Sequence, residues 1–160
     1  MFVGRLGKEK NVELLIKAFA KAKKTLPNLK LLLVGDFKHG DTLINLGAEL
    51  GVADSIIKTG YIENKDLGGG LGCGDLYAMP ALTDTQNLTL NEAARAGLPL
   101  LVVDPLINNV IKDGLNGYIT KPTISAFADG IINILSDPAK AKKMGQLSAK
   151  RAEAYSELSQ

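Results

Sequence analysis

At 160 residues the chain has the length of one ordinary domain, enough to bury a core without disulfides or a structural metal. A net charge of +2, with 22% charged and 46% hydrophobic residues, describes a common globular mix and does not point to nucleic acid. Aromatics at 5% and no Trp leave no material for base-stacking platforms.

The single Cys73 excludes an internal disulfide and a cysteine-based zinc cluster, and it fits a reducing, cytoplasmic setting. No His lies near it in sequence, so it reads as a small packing residue. His39 sits in a polar loop and reads as solvated. No run of 18 apolar residues occurs, so neither a membrane-spanning helix nor a signal peptide is expected. Residues 1–4 already read as the middle of a strand, so the expectation is a fragment of a longer chain.

In chain order, residues 1–4 open with that strand. A glycine-bearing basic loop follows, then a helix over 12–25 with Val12, Leu15, Ile16, Phe19 and Ala20 on one face. Asn11 precedes it as an expected N-cap. A strand over 30–35 leads to a helix over 41–50 that stops at Gly51. A strand over 55–61 comes next. Residues 67–74 carry five glycines, each costing a helix about 1 kcal/mol relative to Ala, so a short, frayed or missing element is expected there. A strand over 75–80 precedes a helix over 87–96, which Gly97-Leu98-Pro99 terminates. Strands over 99–103 and 117–120 follow. Helices over 125–136 and 138–157 close the chain, divided at Asp137-Pro138. The Lys140–Lys143 run reads most simply as a solvated helix face.

Leu31-Leu32-Leu33-Val34 and residues 98–103 are continuous apolar runs, the pattern of strands covered on both faces. Strands alternating with helices predict a doubly wound, Rossmann-like α/β domain over 1–160, with a six-stranded parallel sheet and helices on both faces.

Ligands of such sheets bind beyond the carboxyl ends of the strands, where the strand order reverses. Arg5 and Lys10 follow the first strand, Gly35 and Asp36 the second, Tyr61 and Ile62 the third, and Asp84 and Asn87 the fourth. In the order 3-2-1-4-5-6 the first and fourth strands are neighbours, and the 5–10 loop faces the 84–87 loop. The 4–11 stretch has neither Walker spacing nor Gly-x-Gly-x-x-Gly. Two cations in one loop suit a diphosphate: Arg5 can fork onto two oxygens and Lys10 is a point charge. The plain alternative is a surface salt-bridge loop. Asp84 and Glu92 lie eight positions apart across a helix start, and the free amides of that start attract an anion. Glu92 can hold ribose hydroxyls, or be a solvated helix carboxylate. Asp84 can hold sugar hydroxyls, or make an Asx-turn. A phosphate with sugars on either side describes a sugar nucleotide.

Gly4-Arg5-Leu6 with Lys10, Leu33-Val34-Gly35-Asp36, Thr59-Gly60-Tyr61-Ile62, Asp84-x7-Glu92 with Ala96-Gly97-Leu98-Pro99, and Asp113-Gly114-x-Asn116-Gly117 occur in series. The series resembles the C-terminal, donor-binding half of retaining group 1 (GT4-type) glycosyltransferases of the GT-B architecture. The resemblance implies that Arg5 and Lys10 bind the donor diphosphate and Glu92 the ribose. It implies that Asp84 touches the transferred sugar, the amides of Asn87, Leu88 and Thr89 cap a phosphate, and the Tyr61 and Ile62 backbone meets the base. It further implies a nucleotide-diphospho-sugar donor (a UDP-sugar favoured), no catalytic metal or other cofactor, an N-terminal domain carrying the acceptor site, and a lipid or saccharide acceptor. Peripheral association with the inner membrane face goes with a lipid acceptor. Asp84 departs from the family's usual Glu, Asn87 from a common Gly, and the 68–74 glycines from a normal helix. The Thr83–Gln86 variant resembles the diacylglycerol glucosyl- and galactosyltransferases. The alternatives are a non-catalytic sugar-nucleotide-binding module of the same fold, and an unrelated doubly wound domain, which the lack of an Asp pair after the first strand disfavours.

Overall fold

The computed structural model describes residues 1–5, 8–35, 40–82, 88–104 and 109–158. Six strands form where the apolar runs predict them: β1 (Phe2–Val3), β2 (Leu31–Val34), β3 (Ile56–Gly60), β4 (Tyr77–Met79), β5 (Leu100–Val102) and β6 (Gly117–Ile119). All pair in parallel, as one β1-β2-β3 ladder and one β4-β5-β6 ladder. The ladders meet at a seam between β1 and β4. There the Ala78 N–H donates to the Met1 carbonyl at 2.9 Å, and the Tyr77 hydroxyl donates to the Val3 carbonyl at 3.3 Å. The spatial order is therefore 3-2-1-4-5-6, and it reverses between β1 and β4.

Met1 extends β1 into that seam, its nitrogen donating to the Leu76 carbonyl at 2.6 Å.

Six helices cover the sheet: α1 (Val12–Lys23), α2 (Gly40–Glu49), α3 (Asn64–Leu71), α4 (Leu88–Arg95), α5 (Ile124–Leu135) and α6 (Pro138–Leu158). α1 packs on α2 and α5, while α4 packs on α3 and α6. Right-handed crossovers put these two groups on opposite faces. That double cover is why Leu100, Leu101 and Val102 are all buried. α1 contributes Val12, Leu15, Ile16 and Phe19 to the same core, as its periodicity predicts.

Most helix ends follow local chemistry. Gly97, at φ +82°, closes α4: its N–H bonds the Ala94 carbonyl at 3.0 Å and the Leu98 N–H bonds the Ala93 carbonyl at 3.1 Å. A Cβ at Gly145 would strike the Gly97 carbonyl oxygen, so two glycines let α6 lie directly on this turn. Asp137 caps α6 by accepting from the Lys140 N–H at 3.1 Å, with Pro138 in the first helical position. Lys140 is not simply solvated, since its ammonium lies 5.1 Å from the Tyr118 ring centroid.

One expectation is corrected. Asn11 occupies the N-cap position of α1, but its side chain makes no capping bond. Its left-handed backbone (φ 55°, ψ 38°) turns the amide elsewhere. The glycine-rich element, expected short, frayed or missing, is short: α3 runs through Gly68, Gly69 and Gly70 and ends at Leu71. Leu71, 1% exposed, anchors it, and packing on α4 outweighs weak intrinsic propensity.

Candidate functional site

Three adjacent strands finish in glycine at the carboxyl end of the sheet. Gly4 follows β1, Gly35 follows β2, and Gly60 ends β3. The Gly4 N–H donates to the Val34 carbonyl at 2.9 Å, and the Gly35 N–H donates to the Gly60 carbonyl at 3.1 Å. Gly35 has no substitute here. Its φ is +148°, and a Cβ would strike the Gly4 carbonyl oxygen. The result is a floor of bare backbone on which a ligand can sit close.

Arg5 rises from this floor beyond β1 and is exposed. Lys10 ends a 3₁₀ turn, Lys8–Lys10, and is half-buried. The other wall follows β4. Pro80 and Ala81 are buried, Leu82 is exposed, and α4 begins at Leu88. The two walls are tied together, because the Asn11 side-chain amide donates to the Pro80 carbonyl at 3.4 Å. The loop after β1 and the segment after β4 are thus neighbours, as the strand order predicts.

α4 shows two different sides. Leu90, Ala93 and Ala94 are fully buried, while Leu88 and Glu92, one turn apart, face solvent. The Glu92 carboxylate is therefore free to meet a ligand lying over the helix start, and Thr89 beside it is half-buried. Tyr61 is 75% exposed after β3, and Ile62 packs partly on the core. They stand two strand positions from β1, about 10 Å by ordinary strand spacing. The predicted residues Asp84 and Asn87, with Asp36 and His39, lie outside the described residues.

Two residues escaped the sequence reading. Asp104, 8% exposed, ends the run after β5 at this same edge of the sheet. A lone acid after an apolar run has no periodic signature. Asn91, on the first turns of α4, has a buried side-chain oxygen with no hydrogen-bond donor among the described residues. An unmatched buried acceptor commonly costs about 1–3 kcal/mol.

A parallel sheet covered on both faces, with its strand order reversing at a glycine-lined carboxyl edge, defines a doubly wound α/β domain. Over residues 1–151 the sequence matches the family described as Glycosyl transferases group 1, and the chain belongs to that family. Alpha-monoglucosyldiacylglycerol synthase of Acholeplasma laidlawii is 30% identical over 118 residues, covering 73% of this chain and 30% of that protein. The crystal structure of the pneumococcal O-GlcNAc transferase GtfA in complex with UDP and GlcNAc superposes with a TM-score of 0.87 at 28% identity, over 96% of this chain and 32% of that one. The C-terminal domain of a group 1 glycosyl transferase, LpcC, from Francisella tularensis superposes with a TM-score of 0.86 over 96% of this chain and 83% of that one, at 19% identity, which speaks for the fold. The fold is that of one half of a GT-B glycosyltransferase. The chain spans between 30% and 40% of the length of the first four curated relatives it matches. Among the described residues, no helix is long and apolar enough to cross a membrane.

Proposed function

We propose that this chain is the donor-binding domain of a retaining glycosyltransferase and takes a UDP-sugar. The diphosphate lies between the loop after β1 and the start of α4. Arg5 forks onto its oxygens, Lys10 adds a point charge, and the amides of Asn87, Leu88 and Thr89 meet it from the other side. Glu92 holds the ribose hydroxyls and Asp84 the hydroxyls of the transferred sugar. The backbone at Tyr61 and Ile62 meets the base, and Gly35 lets the nucleotide approach the sheet. As the sugar–phosphate bond breaks, negative charge grows on the departing diphosphate. The two cations and the positive end of α4 favour that charge more than they favour the intact donor, which lowers the barrier.

The observation that carries this reading is the Asn11–Pro80 bond across the β1–β4 seam, which sets a cationic loop against the segment leading to a helix start. The UDP bound in GtfA supports the choice of nucleotide, and the name of the Acholeplasma synthase supports a lipid acceptor. A second domain carries that acceptor site, so the 160-residue chain alone transfers no sugar in a turnover assay. A lipid acceptor places the whole protein at the cytoplasmic face of a membrane.

Calorimetric titration tests the donor site. UDP binds better than GDP or ADP, and Arg5→Ala weakens UDP by 1 kcal/mol or more, roughly fivefold and upward, as expected for a charge-assisted bond. Equal binding by wild type and variant removes Arg5 from the site.

A further inference from the structure

We propose that Asn11 is a positioning residue for the diphosphate, holding the cationic loop after β1 against the end of β4. The proposal rests on the donor-site reading above. Among the described residues, Asn11 is the one non-glycine residue at positive φ, a conformation in which glycine is more at ease. An asparagine just before a helix would ordinarily cap it, and this one makes no cap bond. Asparagine is among the few side chains that tolerate this conformation, but capping does not account for where its amide goes. What the side chain does is donate across 69 positions to the Pro80 carbonyl, at 3.4 Å in a part-buried setting.

The arrangement has a second half. The Tyr77 hydroxyl, fully buried, donates to the Val3 carbonyl at 3.3 Å. Val3 and Asn11 bracket the loop, and Arg5 and Lys10 lie between them. Tyr77 and Pro80 stand at the two ends of β4 and its exit. The cationic loop is thus stapled at each of its ends to the strand that leads into α4. The staples sit at the seam, where the two three-stranded ladders are also joined by the Ala78–Met1 and Met1–Leu76 bonds. Fixing the two walls before the ligand arrives removes an ordering cost from binding.

Asn11→Gly separates the two roles of this residue. Glycine accepts the left-handed backbone without strain and removes the amide. Its thermal unfolding midpoint should stay close to that of the wild type, relief of the left-handed backbone offsetting the lost bond, while its affinity for UDP falls roughly fivefold, the cost of ordering on binding what the bond holds in advance. Pyrophosphate should weaken by a similar factor, because the effect acts on the diphosphate. Tyr77→Phe should weaken UDP in the same direction, and the double variant at least as much as either alone. Asn11→Gly binding UDP as the wild type does overturns the proposal. So does a fall in unfolding midpoint that accompanies the fall in affinity, since Asn11 would then serve the fold. Wild type that binds UDP, an Arg5→Ala variant that binds it weakly and an unaffected Asn11→Gly would retire this inference and leave the donor site standing. Wild type that binds no UDP retires both.

Discussion

Among single residues, Gly35 admits no side chain. Its φ is +148°, and a Cβ there would strike the Gly4 carbonyl oxygen. Gly35→Ala should therefore lower stability by about 1–3 kcal/mol, read as an earlier midpoint in urea unfolding. An unchanged midpoint would mean that the ends of β1 and β2 part without loss. At this scale the sequence was a partial guide. Arg5 and Glu92 could be placed at the sheet's carboxyl edge because glycines and apolar runs mark where strands stop. The cross-loop role of Asn11 could not, because an asparagine before a helix signals a cap and its backbone angles decide otherwise. Asp104 was missed for want of any repeating pattern.

Among elements, the buried strands were legible and α3 only in its shortness. Continuous apolar runs ending in or near glycine mark β2 and β5, which are almost wholly buried, whereas β3 lies at the sheet edge with Ile57, Lys58 and Thr59 exposed. The glycines of α3 argued against a helix, yet Leu71 and the neighbouring α4 supply the packing that propensity withholds. This leaves α3 improvable. A Cβ at Gly69 or Gly70 would meet nothing within 4 Å, and neither residue has a positive φ. Gly69→Ala and Gly70→Ala should each stabilise the chain by about 0.5–1 kcal/mol in chemical denaturation. A loss of stability in either would mean that the helical turn there needs glycine after all. At the seam between the two ladders Met1 bonds as in a regular parallel pair, donating to the Leu76 carbonyl and accepting from the Ala78 N–H. Pro80 has no N–H to continue that pairing, and the Val3 carbonyl accepts from the Tyr77 hydroxyl instead.

For the whole molecule, the reversal of strand order between β1 and β4 is the organising fact. It brings the end of the basic loop beside the exit of β4, where the Asn11 amide meets the Pro80 carbonyl. The opposite edge of the sheet, where β2, β4 and β5 begin, carries open apolar troughs lined by Leu29, Leu31, Leu98 and Leu135. Titrating UDP into isotope-labelled chain and following the backbone amides distinguishes the two ends directly. The donor-site account predicts saturable shifts concentrated at Arg5, Gly35, Leu88 and Thr89, with Lys30, Gly74 and Lys142 unmoved. Shifts centred on the latter three, or none that saturate, would contradict it.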